Sequence, residues 1–241
     1  MQLSEATVLL VDDEPDLLEI FRRWFEPKAR RVVTADNGRQ ALERVAEHHP
    51  DVIVSDVRMP VLDGVGMARQ LKAAGPAAAA KIVFVSGFTD LSERDCFDLG
   101  IEAMLPKPLR RPTLMAAVQR CLLASGEKWR ELPAGPCLQI LSARFESLAM
   151  ALHQGQIAFG SGGFCIGSAL AATAGEPVGL DIVFDADRKA LAGQGIVRWL
   201  DAGEKQVGIE IAYIDDDNRD WIAALAAQTR SRSFIPRTSR S

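Results

Sequence analysis

At 241 residues the chain has room for one large domain or two of ordinary size. Hydrophobic residues at 48% and charged residues at 25% describe a globular protein able to bury real cores. A net charge of −4 gives no bulk pull toward nucleic acid or anionic membrane, and no apolar run approaches the roughly 20 residues of a membrane span. The opening MQLSEATVLLVDDEP lacks a basic start and meets acids at once, so no signal peptide is expected. Cysteines 96, 121, 137 and 165 are scattered, without a CxxC or a neighbouring histidine cluster; reduced thiols in a cytoplasmic protein fit better than a disulfide framework or a zinc site. His48 and His49 end a helix and His153 stands alone, so none suggests a metal site or a triad.

In chain order, short apolar runs alternate with amphipathic helical patterns up to residue 123. Strands are predicted at 7–11, 31–35, 52–55, 82–86 and 103–105, and helices near 15–25, 38–48, 64–74, 91–99 and 110–123. Five strands alternating with five helices, the central strands apolar throughout, imply an α/β doubly wound parallel sheet covered on both faces. Active groups in such a fold gather at the carboxyl ends of its strands.

A different rhythm follows. Ala124–Pro136 (ASGEKWRELPAGP) reads as a linker, and Leu138, Leu141, Phe145, Leu148 and Leu152 keep helical spacing, so 124–154 is predicted as linker and helix. That apolar stripe suits either pairing between two copies of the chain or packing against its own second domain. Beyond it, strands are predicted at 156–167, 177–184, 190–200 and 206–214, then a helix at 216–228, giving a small antiparallel sheet or β-barrel over 155–228 with a C-terminal helix. Residues 229–241, with Arg230, Arg232, Arg237 and Arg240 and no acid, read as a disordered basic tail.

Strand 1 ends in Val11-Asp-Asp-Glu-Pro15 and strand 3 in Ser55-Asp-Val-Arg-Met-Pro60. A parallel sheet opens both ends on one edge, which gathers Asp12, Asp13 and Asp56. Three carboxylates together repel one another and need a divalent cation or a lysine. Hard oxygen ligands suit Mg²⁺. Ser86 ends strand 4 and Lys107-Pro108 follows strand 5, adding a hydroxyl and an ammonium to the same edge. Nucleophile, metal and cation together are equipment for phosphoryl transfer onto a carboxylate.

On these residues, 5–123 resembles the receiver domain of two-component response regulators over that domain's full length. The resemblance implies that Asp56 is the phosphoacceptor, fed by a sensor histidine kinase. It makes Asp12 and Asp13, with Asp56 and the Arg58 backbone carbonyl, the ligands of Mg²⁺. Ser86 becomes the hydroxyl that moves to the phosphoryl oxygen, and Lys107, ahead of a cis peptide to Pro108, pairs with the phosphate. Met59-Pro60 and Asp63-Gly64 complete the loop after the acceptor. One departure concerns the switch: the family places Tyr or Phe three residues before the lysine, where this chain has Met104, a softer side chain. Arg58 and Phe88 flank the acceptor where the family tunes phosphate lifetime.

The second half carries no helix-turn-helix with a basic recognition helix, and no GGDEF-, EAL- or HD-type motif, kinase box or GxSxG elbow, so neither DNA binding nor an enzymatic output is expected. Its order of features resembles a PilZ domain over about 140–228: Gly162-Gly-Phe-Cys-Ile166, then Gly175-Glu-Pro-Val-Gly-Leu180, Gly195-Ile-Val-Arg-Trp199, Val207-Gly-Ile-Glu-Ile211 and a closing helix. That family binds cyclic di-GMP through Arg-x-x-x-Arg before the barrel and Asp/Asn-x-Ser-x-x-Gly on it. Here only Arg144 and Gly163 match; Leu148 and Ile140 flank Arg144 at the spacing of a second arginine, and Ala158 and Gly160 stand at the acidic and serine positions. Ile157–Gly167 (IAFGSGGFCIG) is no phosphate loop either, since no lysine and no helix follow, and its glycines read as a strand bend or bulge. The expectation is a degenerate PilZ-like module that binds a downstream protein. The alternative is a cyclic di-GMP effector that integrates the dinucleotide with phosphorylation, and a third reading has the arginine tail touch nucleic acid.

Overall fold

The computed structural model describes residues 1–74, 80–87, 93–168, 170–203, 205–228 and 233–236. The chain divides into two compact units, Met1–Leu123 and Ala124–Ser241. Among the described residues no helix is long and apolar enough to cross a membrane.

In the first unit five strands, β1 (Thr7–Val11), β2 (Arg31–Ala35), β3 (Val52–Asp56), β4 (Lys81–Ser86) and β5 (Ile101–Pro106), alternate with α1 (Pro15–Phe25), α2 (Gly38–His48), α3 (Gly64–Ala73), α4 (Glu93–Asp98) and α5 (Arg111–Leu122). The strand order is β2-β1-β3-β4-β5, with every pairing parallel. β1 and β3 are buried along their whole length, and successive side chains feed opposite faces. Leu9, Val11, Ile53 and Phe84 face a core with Met67 and Leu71 of α3, while Val8, Leu10, Val54 and Val85 face one with Phe21, Phe25 and Leu114. Helices begin where side chains cap them: Asn37 accepts from the Gln40 amide and Asp63 from the Gly66 amide. The predicted start of the fourth helix, and Phe88, lie outside the described residues.

The second unit departs from expectation at both of its ends. Residues 124–130 pack as part of it. A short helix α6 (Ser125–Lys128) contacts the last helix, Trp129 is buried in the core, and the Trp129 carbonyl accepts a 3.1 Å bond from the Ile214 amide. The expected helix over 138–152 is instead a strand, β6 (Gln139–Phe145), followed by a short helix α7 (Leu148–His153). The apolar set there fits two periods. Leu141, Phe145, Leu148 and Leu152 suit a helix, but Leu141, Ala143 and Phe145 also alternate inward as a strand does. Pairing settles the matter, because β6 runs parallel to β9 (Pro177–Phe184) over seven residue pairs. The ring of Phe145 stacks on that of Phe184 at 5.7 Å.

The predicted strand 156–167 is a hairpin, β7 (Ile157–Phe159) and β8 (Gly163–Gly167), with Gly160-Ser161-Gly162 as its turn rather than a bend in one strand. With β10 (Lys189–Asp201) and β11 (Gln206–Ile214) the sheet has the order β6-β9-β10-β11-β8-β7, antiparallel except for β6–β9. The closing helix is α8 (Asp216–Gln228). Within the expected disordered tail, Ser233, Phe234 and Ile235 are buried, because the hairpin turn offers amide donors and side-chain-free faces that hold them. Arg230, Arg232, Arg237 and Arg240 lie outside the described residues.

Candidate functional site

At the carboxyl edge of the parallel sheet, β1 delivers Asp12 and β3 ends in Asp56. β4 ends in Ser86, and the chain leaving β5 carries Lys107. The Lys107 amide bonds the Ser86 carbonyl at 2.9 Å, and the Lys107–Pro108 peptide is cis. Lys107 Nζ lies 2.7 Å from Oδ1 of Asp56, 3.1 Å from Oδ2 of Asp12 and 3.7 Å from Oε1 of Glu14. The second oxygen of Asp56 accepts a 2.6 Å bond from the Arg58 amide, and Oδ1 of Asp12 accepts from the Glu14 amide at 2.9 Å. Asp12 and Asp56 are both buried, at 1% and 7% exposure, whereas Asp13 is exposed.

Burial dominates the Asp12 carboxyl and pushes its pKa above the ordinary carboxylate value, against the lowering effect of the Glu14 amide and Lys107. Burial works against the Lys107 ammonium as well. Its bonds to Asp56 and Asp12, with their charges, outweigh that and hold the pKa above its usual value.

The loop after Asp56 is fixed by close approach. The Gly64 amide bonds the Val57 carbonyl at 2.9 Å, and a Cβ on Gly64 would stand 2.4 Å from the Asp56 carbonyl oxygen. A side chain there would push on the backbone that aims the Asp56 carboxylate.

Two buried carboxylates share one ammonium, so the pocket stays net negative and offers hard oxygen donors, the chemistry that suits a small divalent cation such as Mg²⁺. Among the described residues no three His, Cys, Asp or Glu side chains form a metal cage. A cation there would rest on Asp12 and Asp56 together with backbone and water oxygens, which is how Mg²⁺ is commonly held. Glu14 also borders the site, a position the sequence signals only through its place in the run Asp12-Asp13-Glu14. Met104, on β5, is half-buried in the core beside Cys96, with the two sulfurs 3.8 Å apart.

Residues 8–119 match the family described as response regulator receiver domain. This half of the chain is a receiver domain. The protein named response regulator MprA from Mycobacterium sp. strain KMS is 31% identical over 149 residues, 61% of this chain and 63% of that protein. Its namesake from Mycobacterium leprae strain TN is 36% identical over 116 residues, 48% of this chain and 50% of that protein. The chain therefore spans less than two thirds of the length of these relatives. Among solved structures, the chemotaxis response regulator CheY4 of Vibrio cholerae aligns at 29% identity with a TM-score of 0.45, covering 49% of this chain and 99% of that one. A response regulator receiver domain protein from Clostridium thermocellum aligns at 26% identity and a TM-score of 0.45, over 48% of this chain and 94% of that one.

In the second unit, the two residues read as a dinucleotide site do not share a strand neighbourhood. Arg144 lies on β6 and Gly163 on β8, with β9, β10 and β11 between them in the sheet. Arg144 is mostly exposed and ion-paired with Asp185 at 2.5 Å. Gly163 packs on β11, where a Cβ would meet the Ile209 carbonyl oxygen at 1.9 Å. Arg198, the other arginine near the barrel face, is held by the buried Glu210 at 2.5 Å.

Proposed function

We propose that the chain is a cytoplasmic response regulator of a two-component phosphorelay, phosphorylated on Asp56 by a sensor histidine kinase. The observation that carries this reading is the Lys107 ammonium held 2.7 Å from Oδ1 of Asp56, on the edge where β1 and β4 also bring Asp12 and Ser86. The Asp56 carboxylate is the nucleophile, aimed by the Arg58 amide on its other oxygen. Lys107 keeps positive charge beside the acceptor and pairs with phosphoryl oxygen once it arrives. Ser86, buried at the end of β4, donates its hydroxyl to another phosphoryl oxygen. Mg²⁺ would be held by Asp12, Asp56 and the Arg58 carbonyl with water, the exposed Asp13 standing next to Asp12 in the chain, and would supply charge neutralisation when bound. In the test, the full chain is mixed with Mg²⁺ and a small-molecule phosphodonor and followed by intact mass. One phosphoryl group is expected on the wild type and none on Asp56→Asn; an equal yield on the variant would overturn the assignment.

For the second unit the reading is a degenerate PilZ-like module that passes the signal to a protein partner. Support comes from the arginines that a dianionic dinucleotide would need as countercharge: Arg144 and Arg198 are each committed to a carboxylate of the chain itself. Calorimetry with cyclic di-GMP tests this reading against the alternative. No heat of binding is expected, and tight binding lost in Arg144→Ala would replace this reading with a second-messenger effector.

A further inference from the structure

The glycine-rich turn of the β7–β8 hairpin is occupied by the chain's own C-terminal segment. The Ser161 amide donates to the Ser233 carbonyl at 3.1 Å and the Gly162 amide to the Phe234 carbonyl at 3.0 Å. A Cβ on Gly160 would lie 2.4 Å from the Ser233 carbonyl oxygen, and one on Gly162 would fall 1.9 Å from the Phe234 ring. These two glycines are therefore the only residue type that lets the segment seat where it does. Lys128, itself buried, stands 5.8 Å from the centre of the Phe234 ring, and Ile235 is fully buried. Pro236 has no amide hydrogen to satisfy. The seat thus combines two outward-pointing loop amides, a flat face for an aromatic ring and a cation over that ring.

We propose that Ser233–Pro236 is a detachable strap and that the seat beneath it is a docking groove. Its ligand is an extended peptide of the same chemistry, an aromatic residue followed by a branched aliphatic residue and a proline. Such a segment already sits there, and main-chain bonds combined with side-chain pockets are a general mode of peptide recognition. The strap is a short piece of chain lying outside the sheet ladders, so it can open without unfolding the unit. While seated it excludes a peptide in trans, because a tethered occupant competes at high effective concentration.

The first test is hydrogen exchange on the full wild-type chain. The Ser161 and Gly162 amides are expected to exchange at least about a hundredfold faster than those of Phe164 and Cys165 in β8, as local opening requires. Equal rates would make the strap an integral part of the fold and end the proposal. The second test is fluorescence anisotropy with a labelled peptide copying residues 231–237. Full-length Phe234→Ala is expected to bind it at least about tenfold more tightly than wild type. Adding Gly162→Ala is expected to abolish that binding, and so is replacing the peptide's phenylalanine with alanine. No gain in Phe234→Ala, or loss of the second unit's cooperative melt in that variant, would overturn the groove. A wild-type dimer that grows with protein concentration and vanishes in Phe234→Ala would assign the seat to exchange between two copies, overturning a separate peptide ligand.

Discussion

Oδ2 of Asp12 lies 3.1 Å from Nζ of Lys107, yet that ion pair does not offset what burial costs the Asp12 carboxylate. Its folded-state pKa stands above the ordinary 3.8, so the folded chain holds the Asp12 proton more tightly than the unfolded chain does. Stability from this group is therefore lost as pH rises from 3.8 through the raised folded value. Asp12→Asn should raise the stability of the receiver at pH 7, with the gain shrinking as pH falls toward 3.8. The same change should slow phosphorylation of Asp56, because a negative oxygen facing the site is gone. Thermal melts of both proteins between pH 4 and 7, with a phosphorylation time course, check both halves.

Lys107 has the same direction of linkage as Asp12, in a far higher pH window. Its raised pKa means that its stabilising contribution is fully present below its unfolded value of 10.5 and is lost only as pH rises through the higher folded value. Lys107→Met leaves Asp12 and Asp56 buried side by side without their shared cation. The expected cost at pH 7 is about 3 kcal/mol, as for a buried pair that loses one partner. Acid should relieve it, since the raised pKa of Asp12 lets that carboxylate take up a proton and removes the repulsion. Denaturant unfolding at pH 7 and pH 4.5 measures this, and a cost independent of pH would contradict it.

The sequence carried this site more clearly than it carried the second unit, for a physical reason. In the receiver the central runs β1, β3 and β4 are buried on both faces of a parallel sheet, so strand and helix periods do not compete there, and the strand ends bring Asp12, Asp56, Ser86 and Lys107 to one edge. Residues 138–145 satisfied helical and strand periods at once, and only the distant β9 decides between them. Trp129 lies in a stretch whose Gly and Pro residues suggest a linker, and its burial depends on partners such as Ile214 at the end of β11, far along the chain. Phe234 and Ile235 looked like two apolar residues in a basic tail, because nothing local reveals that a glycine turn at 160–162 would receive them.

Gly64 offers a test of how closely the loop after β3 supports Asp56. A methyl group there would stand 2.4 Å from the Asp56 carbonyl oxygen and 3.2 Å from the Phe84 ring, neither of which can yield easily. Gly64→Ala should cost about 2 kcal/mol, as overpacked sites do, and slow phosphorylation by displacing the Asp56 backbone. Gly66→Ala is the matched control on the same helix, because its Cβ meets chiefly the far end of the Leu62 side chain, at 2.7 Å, which can rotate away. Denaturant midpoints and phosphorylation rates of the pair should separate; equal losses would show that the Gly64 contact is not what matters.

Trp129 tests where the second unit begins. Its side chain is 1% exposed within the core that holds Leu141, Phe184 and Ile214, and its carbonyl is bonded to the Ile214 amide. Trp129→Ala should cost the second unit about 3–5 kcal/mol through lost burial and the cavity left behind. The receiver's core contains no part of Trp129, so its unfolding should keep the wild-type midpoint. Two probes can follow the units separately: phosphorylation competence at Asp56 reports the receiver, and hydrogen exchange in β8 and β11 reports the second unit. Faster exchange in β8 and β11 with phosphorylation unchanged is the expected result. If residues 124–136 were only a connector, removing this indole from an exposed stretch would change neither probe, since surface substitutions usually stay within about 0.5 kcal/mol.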